Sequence, residues 1–132
     1  MKKIYHLGNC TTCQAIIKET GMDTLRQAKG DRIIMQEIKT EKITASQLDE
    51  MKKMAGSYEA LFSRRAIKYK EMGLKDKVLA EKDYRKLILD EYTFLKRPVV
   101  IISNKIFIGS EKKNVEALKQ ALKELSGQQQ DQ

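Results

Sequence analysis

"YHLGNCTTCQA", residues 5–15, holds both cysteines of this 132-residue chain, Cys10 and Cys13. The preceding "KKIYHL" (2–7) has the β-branched and aromatic content of a short strand. The following "CQAIIKETG" places Cys13, Ile16, Ile17 and Thr20 on one helical stripe and ends at Gly21, a natural helix stop. "RIIMQEI" (32–38) reads as a second strand. Strand, helix and strand in this short span form a βαβ unit, so the two strands should run parallel.

Further along, Thr44 and Gln47 in "TASQ" predict a capping box, with Leu48, Met51 and Met54 or Ala55 as the apolar stripe of a helix over 45–55. Gly56 interrupts it. From 57 to 95 no stretch has strand character. "YEALF", "RRAIKYKEM" and "DYRKLILDEY" all read as helix, with breaks at Gly73 and Asp76. The last of them has Tyr84, Leu87, Ile88 and Glu91 on one face. Residues 44–95 are therefore expected to form a helical insert.

The period then changes. "PVVIIS" (98–103) is a β-branched run typical of a buried strand. Asn104 and Lys105 turn the chain, and "IFIG" (106–109) returns as an antiparallel strand. Ser110 and Glu111 open a last helix whose stripe is Val115, Leu118, Leu122 and Leu125. Residues 126–132 are polar and are expected to fray. The order β-α-β, helices, β-β-α predicts an α/β sandwich on a mixed four-stranded sheet. There is no internal repeat and no second core, so residues 1–132 are read as one domain, with the helical insert at most a subdomain of it.

Composition narrows the function classes. The chain is 41% apolar and 33% charged, as expected of a globular protein. No apolar run reaches the roughly 18–20 residues of a membrane span. The basic start "MKKIYHLGN" loses its apolar character at Gly8 and does not read as a signal peptide, so a cytoplasmic location is expected. The formal charge is +8, and the stretch from Arg64 to Lys86 contributes nine basic and four acidic residues. That stretch is a solvated helical face or a surface for an acidic partner. Aromatic residues are too sparse among the basic ones for base stacking, so direct nucleic-acid contact is not expected.

The cysteine pair has three readings. A zinc site needs four ligands, or three and a water, and one histidine (His6) with no second cysteine pair does not supply them. No metal is expected. Two small buried residues are the plain alternative. Placement favours redox chemistry. Cys10 stands where a helix begins, and the unpaired N–H groups and partial positive charge there stabilise a thiolate. Cys13, one turn on, is near enough to attack an adduct on Cys10 and release it as a disulfide. C-x-x-C beside a βαβ unit is the redox signature of a thioredoxin-like fold. The single proline, Pro98, opens the buried strand, where proline is tolerated. In thioredoxin-like folds a cis proline lies at that point against the reactive cysteine, so a cis Arg97–Pro98 bond is expected. His6 either tunes the thiolate or packs, and packing is preferred. Tyr5 belongs in the core.

Taken with "ALFSRRAIKYKEMGL", "FLKRPVVI" and "IFIGSEKKNVEAL", the opening motif makes the chain resemble a known family. It is similar over nearly all of residues 2–125 to the thioredoxin-fold arsenate reductases and their relatives, among them the Spx-type transcription regulators. Order and spacing carry the resemblance, not any single piece. For the reductases it implies thiolate attack on arsenate by Cys10, completed by glutathione and glutaredoxin, with no cofactor bound. Arg97 matches the family's Arg-Pro and is the expected anion ligand. Arg65 matches an arginine that many relatives carry, and Arg64 is its possible substitute. Asn9, Thr11 and the N–H groups from Thr11 to Cys13 would complete the anion cradle.

Two departures matter. The glutaredoxin-linked reductases carry an arginine in the last strand where this chain has Ile108 and Gly109, and they lack a second cysteine in the motif. The Spx-type regulators use C-x-x-C as a disulfide switch and bind the RNA polymerase α-subunit. A separate reductase class with C-x5-R is excluded, because position 16 is Ile16. Two functions are thus expected to compete: a thiol-dependent oxidoreductase, and a redox-sensing regulator.

Overall fold

The computed structural model describes residues 2–8, 10–21 and 33–130, the last six as backbone only. The chain divides into two compact units, one of residues 1–37 and 97–132, the other of residues 38–96.

The first unit is built on a four-stranded sheet of order β2-β1-β3-β4. β1 (Lys2–His6) runs parallel to β2 (Ile34–Glu37), with Ile4 opposite Met35 and His6 opposite Glu37. On its other side β1 is antiparallel to β3 (Val99–Ile102), which pairs antiparallel with β4 (Lys105–Ile108). This is the mixed sheet expected of β-α-β followed by β-β-α. All four residues of β3 are buried, which is why its sequence is uninterrupted by polar residues.

Helices α1 (Thr11–Thr20) and α5 (Lys112–Gln130) cover one face of this sheet. Ile16 and Ile17 of α1 and Val115, Leu118 and Leu122 of α5 pack with Ile4, Val100, Ile102 and Phe107. Thr20, on the predicted stripe, is half-buried and donates its hydroxyl to the Ile16 carbonyl at 2.7 Å. Gly21 closes α1 with φ 74°, the left-handed conformation glycine adopts without strain. Asn114 ties the end of β4 to the start of α5. Its side chain accepts from the Ile108 N–H at 3.2 Å and donates to the Gly109 carbonyl at 2.9 Å. The polar segment Ser126–Gln130, expected to fray, continues α5, since its glutamines are good helix formers.

The second unit begins with helix α2 (Ala45–Ala55). Thr44 and Gln47 form the predicted capping box, both bonds at 3.0 Å, and Gly56 ends the helix with φ 97°. Leu48 and Met51 are fully buried. Beyond Gly56 the helix expected of "DYRKLILDEY" forms, and the other two expectations are corrected. "YEALF" holds only the 3-10 turn Glu59–Leu61, α3 covers just Ile67–Glu71, another 3-10 turn spans Leu74–Asp76, and α4 is Glu81–Asp90. After a last 3-10 turn at Tyr92–Phe94, Phe62 and Leu95 pair as an antiparallel bridge. The Ser63 N–H donates to the Phe94 carbonyl (2.7 Å) and the Lys96 N–H to the Leu61 carbonyl (2.8 Å). These bonds hold the backbone extended at Phe62. They bury its ring against Phe94 (5.0 Å, stacked), Tyr84 (4.9 Å) and Tyr69 (6.0 Å, edge-on). Helical periodicity cannot express such a non-local pairing.

Candidate active site

The site grows from the connection between β1 and α1. Leu7 is buried, and its carbonyl accepts the Cys10 N–H at 3.2 Å. Cys10 is the N-cap of α1, extended at φ −90° and ψ 113°, and its carbonyl receives the first intrahelical bond, from the Gln14 N–H at 3.1 Å. No side chain closes a full capping bond here, so the N–H groups of Cys13 and Thr12 are left to the Cys10 sulfur.

Both cysteines are free thiols. Partial burial pushes the Cys10 pKa up. The Cys13 N–H, the Cys13 thiol, the Arg97 charge and the Thr12 N–H together outweigh it, and the net shift is downward. Cys13 has no exposed surface. Burial pushes its thiol up to about 12, helped by its bond to Cys10 and the charge there, against the Leu7 N–H and Arg97. Of the two, Cys10 is therefore the thiol that ionises first, with Cys13 as its hydrogen-bond donor.

Arg97 is half-buried and forms no ion pair with another described residue. The Arg97–Pro98 bond is cis. Pro98 is buried, and its carbonyl accepts the Gly109 N–H at 2.9 Å. Thr11, exposed, lines a groove of about 600 Å³ between α1 and α5, with Thr12 and Ala15 beside it and Ser110, Lys112 and Glu116 opposite. Asn9 lies outside the described residues.

Cys10, Cys13, Thr11, Arg97 and Pro98 thus belong to the first unit, and Arg64 and Arg65 to the second. The two arginines stand in a turn ahead of α3, not on a helix as their sequence reads, because the bonds that pair Phe62 with Leu95 hold the chain extended just before them. Arg64 is engaged: its Nη2 donates to Glu59 at 2.9 Å and to the Tyr84 hydroxyl at 3.3 Å. Arg65 is exposed and has no ion pair with a described residue. Of the other basic residues in this stretch, Lys68, Arg85 and Lys86 are paired with Glu71, Asp49 and Asp90.

Motif reading missed two residues. The Gly8 N–H donates to Glu37 Oε1 at 3.0 Å, and Gln14 Nε2 donates to the Gly8 carbonyl. Glu37 is distant in sequence, and only the strand register brings it to the loop. His6 is half-buried, engaged, and opposite Glu37. No group of three or more His, Cys, Asp or Glu is placed to hold a metal among the described residues, and no described helix is long and apolar enough to cross a membrane.

A mixed sheet with a C-x-x-C at the first helix N-terminus and a cis proline opening β3 defines a thioredoxin-like α/β protein. The sequence pattern of the ArsC family matches residues 5–118, and the chain belongs to that family. Solved structures share the fold. A protein related to the ArsC family from Bacteroides fragilis is 20% identical with a TM-score of 0.71, the match covering 89% of this chain and 96% of that one. An arsenate reductase from Vibrio cholerae is 16% identical with a TM-score of 0.70, at the same coverage. An arsenate reductase (ArsC) related protein from Brucella melitensis is 24% identical with a TM-score of 0.63, covering 88% and 92%. No curated protein matches the chain.

Proposed function

We propose that this chain is a thiol-dependent oxidoreductase of the arsenate reductase type, with Cys10 as nucleophile and Cys13 as resolving thiol. The observation that carries the reading is the split within the cysteine pair: Cys10 is lowered at a helix N-terminus, while Cys13 stays a buried thiol bonded to it. Membership of the ArsC family supports an oxyanion substrate.

In this reading the Cys10 thiolate attacks arsenic(V), forming a sulfur–arsenic bond as an oxygen leaves as water. The adduct removes the negative charge that holds the Cys13 proton. Cys13, once deprotonated, attacks the Cys10 sulfur. The sulfur–arsenic bond breaks, its electron pair stays on arsenic as arsenite, and the two cysteines are left as a disulfide. The two electrons come from the two thiols, and glutathione or glutaredoxin restores them. Arg97, Thr11 and the α1 N–H groups hold the anion. The chemistry suits a reducing compartment such as the cytoplasm.

The test is NADPH consumption with arsenate, glutathione, glutaredoxin and glutathione reductase. Wild type should turn over, and Cys10→Ser should abolish it. Loss with Cys13→Ser as well would assign the resolving role. An inactive wild type would refute the reading.

A second reading is a redox-sensing regulator of the Spx type that meets RNA polymerase. Cys13, and Ile108 in place of the reductases' strand arginine, favour it. Capture of the purified polymerase α-subunit that depends on the Cys10–Cys13 redox state would support it over the enzyme.

A further inference from the structure

Gly8, two residues before Cys10, is held on both sides of its backbone. Its N–H donates to Glu37 Oε1 at 3.0 Å, and its carbonyl accepts from Gln14 Nε2. Glu37 is the last residue of β2, in register with His6 at the end of β1. Gln14 follows Cys13 on α1. The glycine is therefore fixed to the neighbouring strand by one bond and to the reactive helix by the other. A loop of this kind is ordinarily the variable part of a strand–helix connection.

We propose that Glu37 is a positioning residue for the Cys10 thiolate: by holding Gly8, it keeps the β1–α1 loop where the Cys10 sulfur meets the N–H groups of Cys13 and Thr12. The inference rests on the reading of Cys10 as nucleophile. Electrostatics alone would give Glu37 the opposite role, because a carboxylate close to a thiolate disfavours it. The benefit must come through the hydrogen bond to Gly8, so acceptor and charge can be separated by mutation. At the ends of the elements that meet this loop, the titratable and charged groups are His6 on β1, Cys10 and Cys13 at the start of α1, Glu37 on β2 and Arg97 ahead of β3.

The test is the rate of Cys10 carboxamidomethylation by iodoacetamide against pH, read by mass spectrometry on the full chain. Glu37→Gln keeps the acceptor and loses the charge. Glu37→Met keeps the stem and loses both. Positioning requires Glu37→Gln to react within about twofold of wild type, and Glu37→Met to be about fivefold slower or worse at neutral pH, where the thiolate fraction sets the rate. A Glu37→Met rate equal to or above wild type overturns the proposal, and so does Glu37→Gln falling as far as Glu37→Met. If Glu37→Met does not fold, Gln14→Ala, at an exposed position, removes the other bond to Gly8. It should slow Cys10 in the same direction, and an unchanged rate counts against the proposal. A wild-type Cys10 that titrates as an ordinary thiol would refute the nucleophile itself. A lowered wild type with an unaffected Glu37→Met would refute only the role of Glu37.

Discussion

The Cys13 thiol donates to the Cys10 sulfur, and that one contact moves two acidities in opposite directions. Iodoacetamide should therefore label Cys10 first, with a midpoint below the ordinary thiol range, and reach Cys13 only on unfolding. Cys13→Ala removes the donor but leaves the backbone N–H groups. It should slow Cys10 labelling at neutral pH by about fivefold, the scale of one partly solvated hydrogen bond to a charged group.

Arg97 acts on the same sulfur by charge. Arg97→Ala should slow Cys10 labelling, and Arg97→Lys should restore most of it. The two should stay alike in the arsenate assay. Both lose the planar fork, so KM should remain raised by about tenfold in each. A lysine variant with wild-type KM would show that Arg97 supplies charge alone.

The neighbouring arginines should separate by assay. Arg64 is tied to Glu59 and Tyr84, so Arg64→Ala should lower the melting temperature slightly and leave KM alone. Arg65→Ala, at an exposed position, should leave the melting temperature unchanged. A melting temperature lowered by Arg65→Ala and not by Arg64→Ala would show that the bonds of Arg64 to Glu59 and Tyr84 add nothing to stability.

Asp49 adds to the acid sensitivity of the second unit. Its bonds from Arg85 (2.9 Å) and the Tyr58 hydroxyl (2.5 Å) hold its carboxyl at about 2, below the usual 3.8. A lowered carboxyl contributes stability that is present above its unfolded value and is lost as pH falls through the folded one. Circular dichroism should show stability falling as pH drops from about 4 towards 2, and Asp49→Asn should flatten that window.

Phe62 is the test of the second unit's core. It has no exposed surface and touches three aromatic rings, so Phe62→Ala should cost about 3–5 kcal/mol in denaturant titrations.

What the sequence makes legible is local. Thr44 with Gln47, Gly21 after α1, and the unbroken β-branched run of β3 each announce an element from a few adjacent residues, and so do the cysteines at a helix start. The stretch from Tyr58 to Arg65 misleads because its helical reading ignores the Phe62–Leu95 pairing, and pairing leaves no mark on either segment alone. Glu37 is hidden for the same reason: its bond to Gly8 depends on strand register. Arg64 and Arg65 look equivalent as adjacent residues, and only tertiary contacts separate them.

The division of the first unit across both ends of the chain has a consequence on the ribosome. β1 and α1 are synthesised ahead of β3, which closes the open side of β1 and emerges only after all of residues 38–96. Those intervening residues are contiguous and can fold while the sheet is incomplete. Arg97, whose charge helps to ionise Cys10, also arrives late. A nascent chain thus carries Cys10 without that help until residues 38–96 and Arg97 have followed it, and the thiol reaches its full reactivity only once β3 is in place.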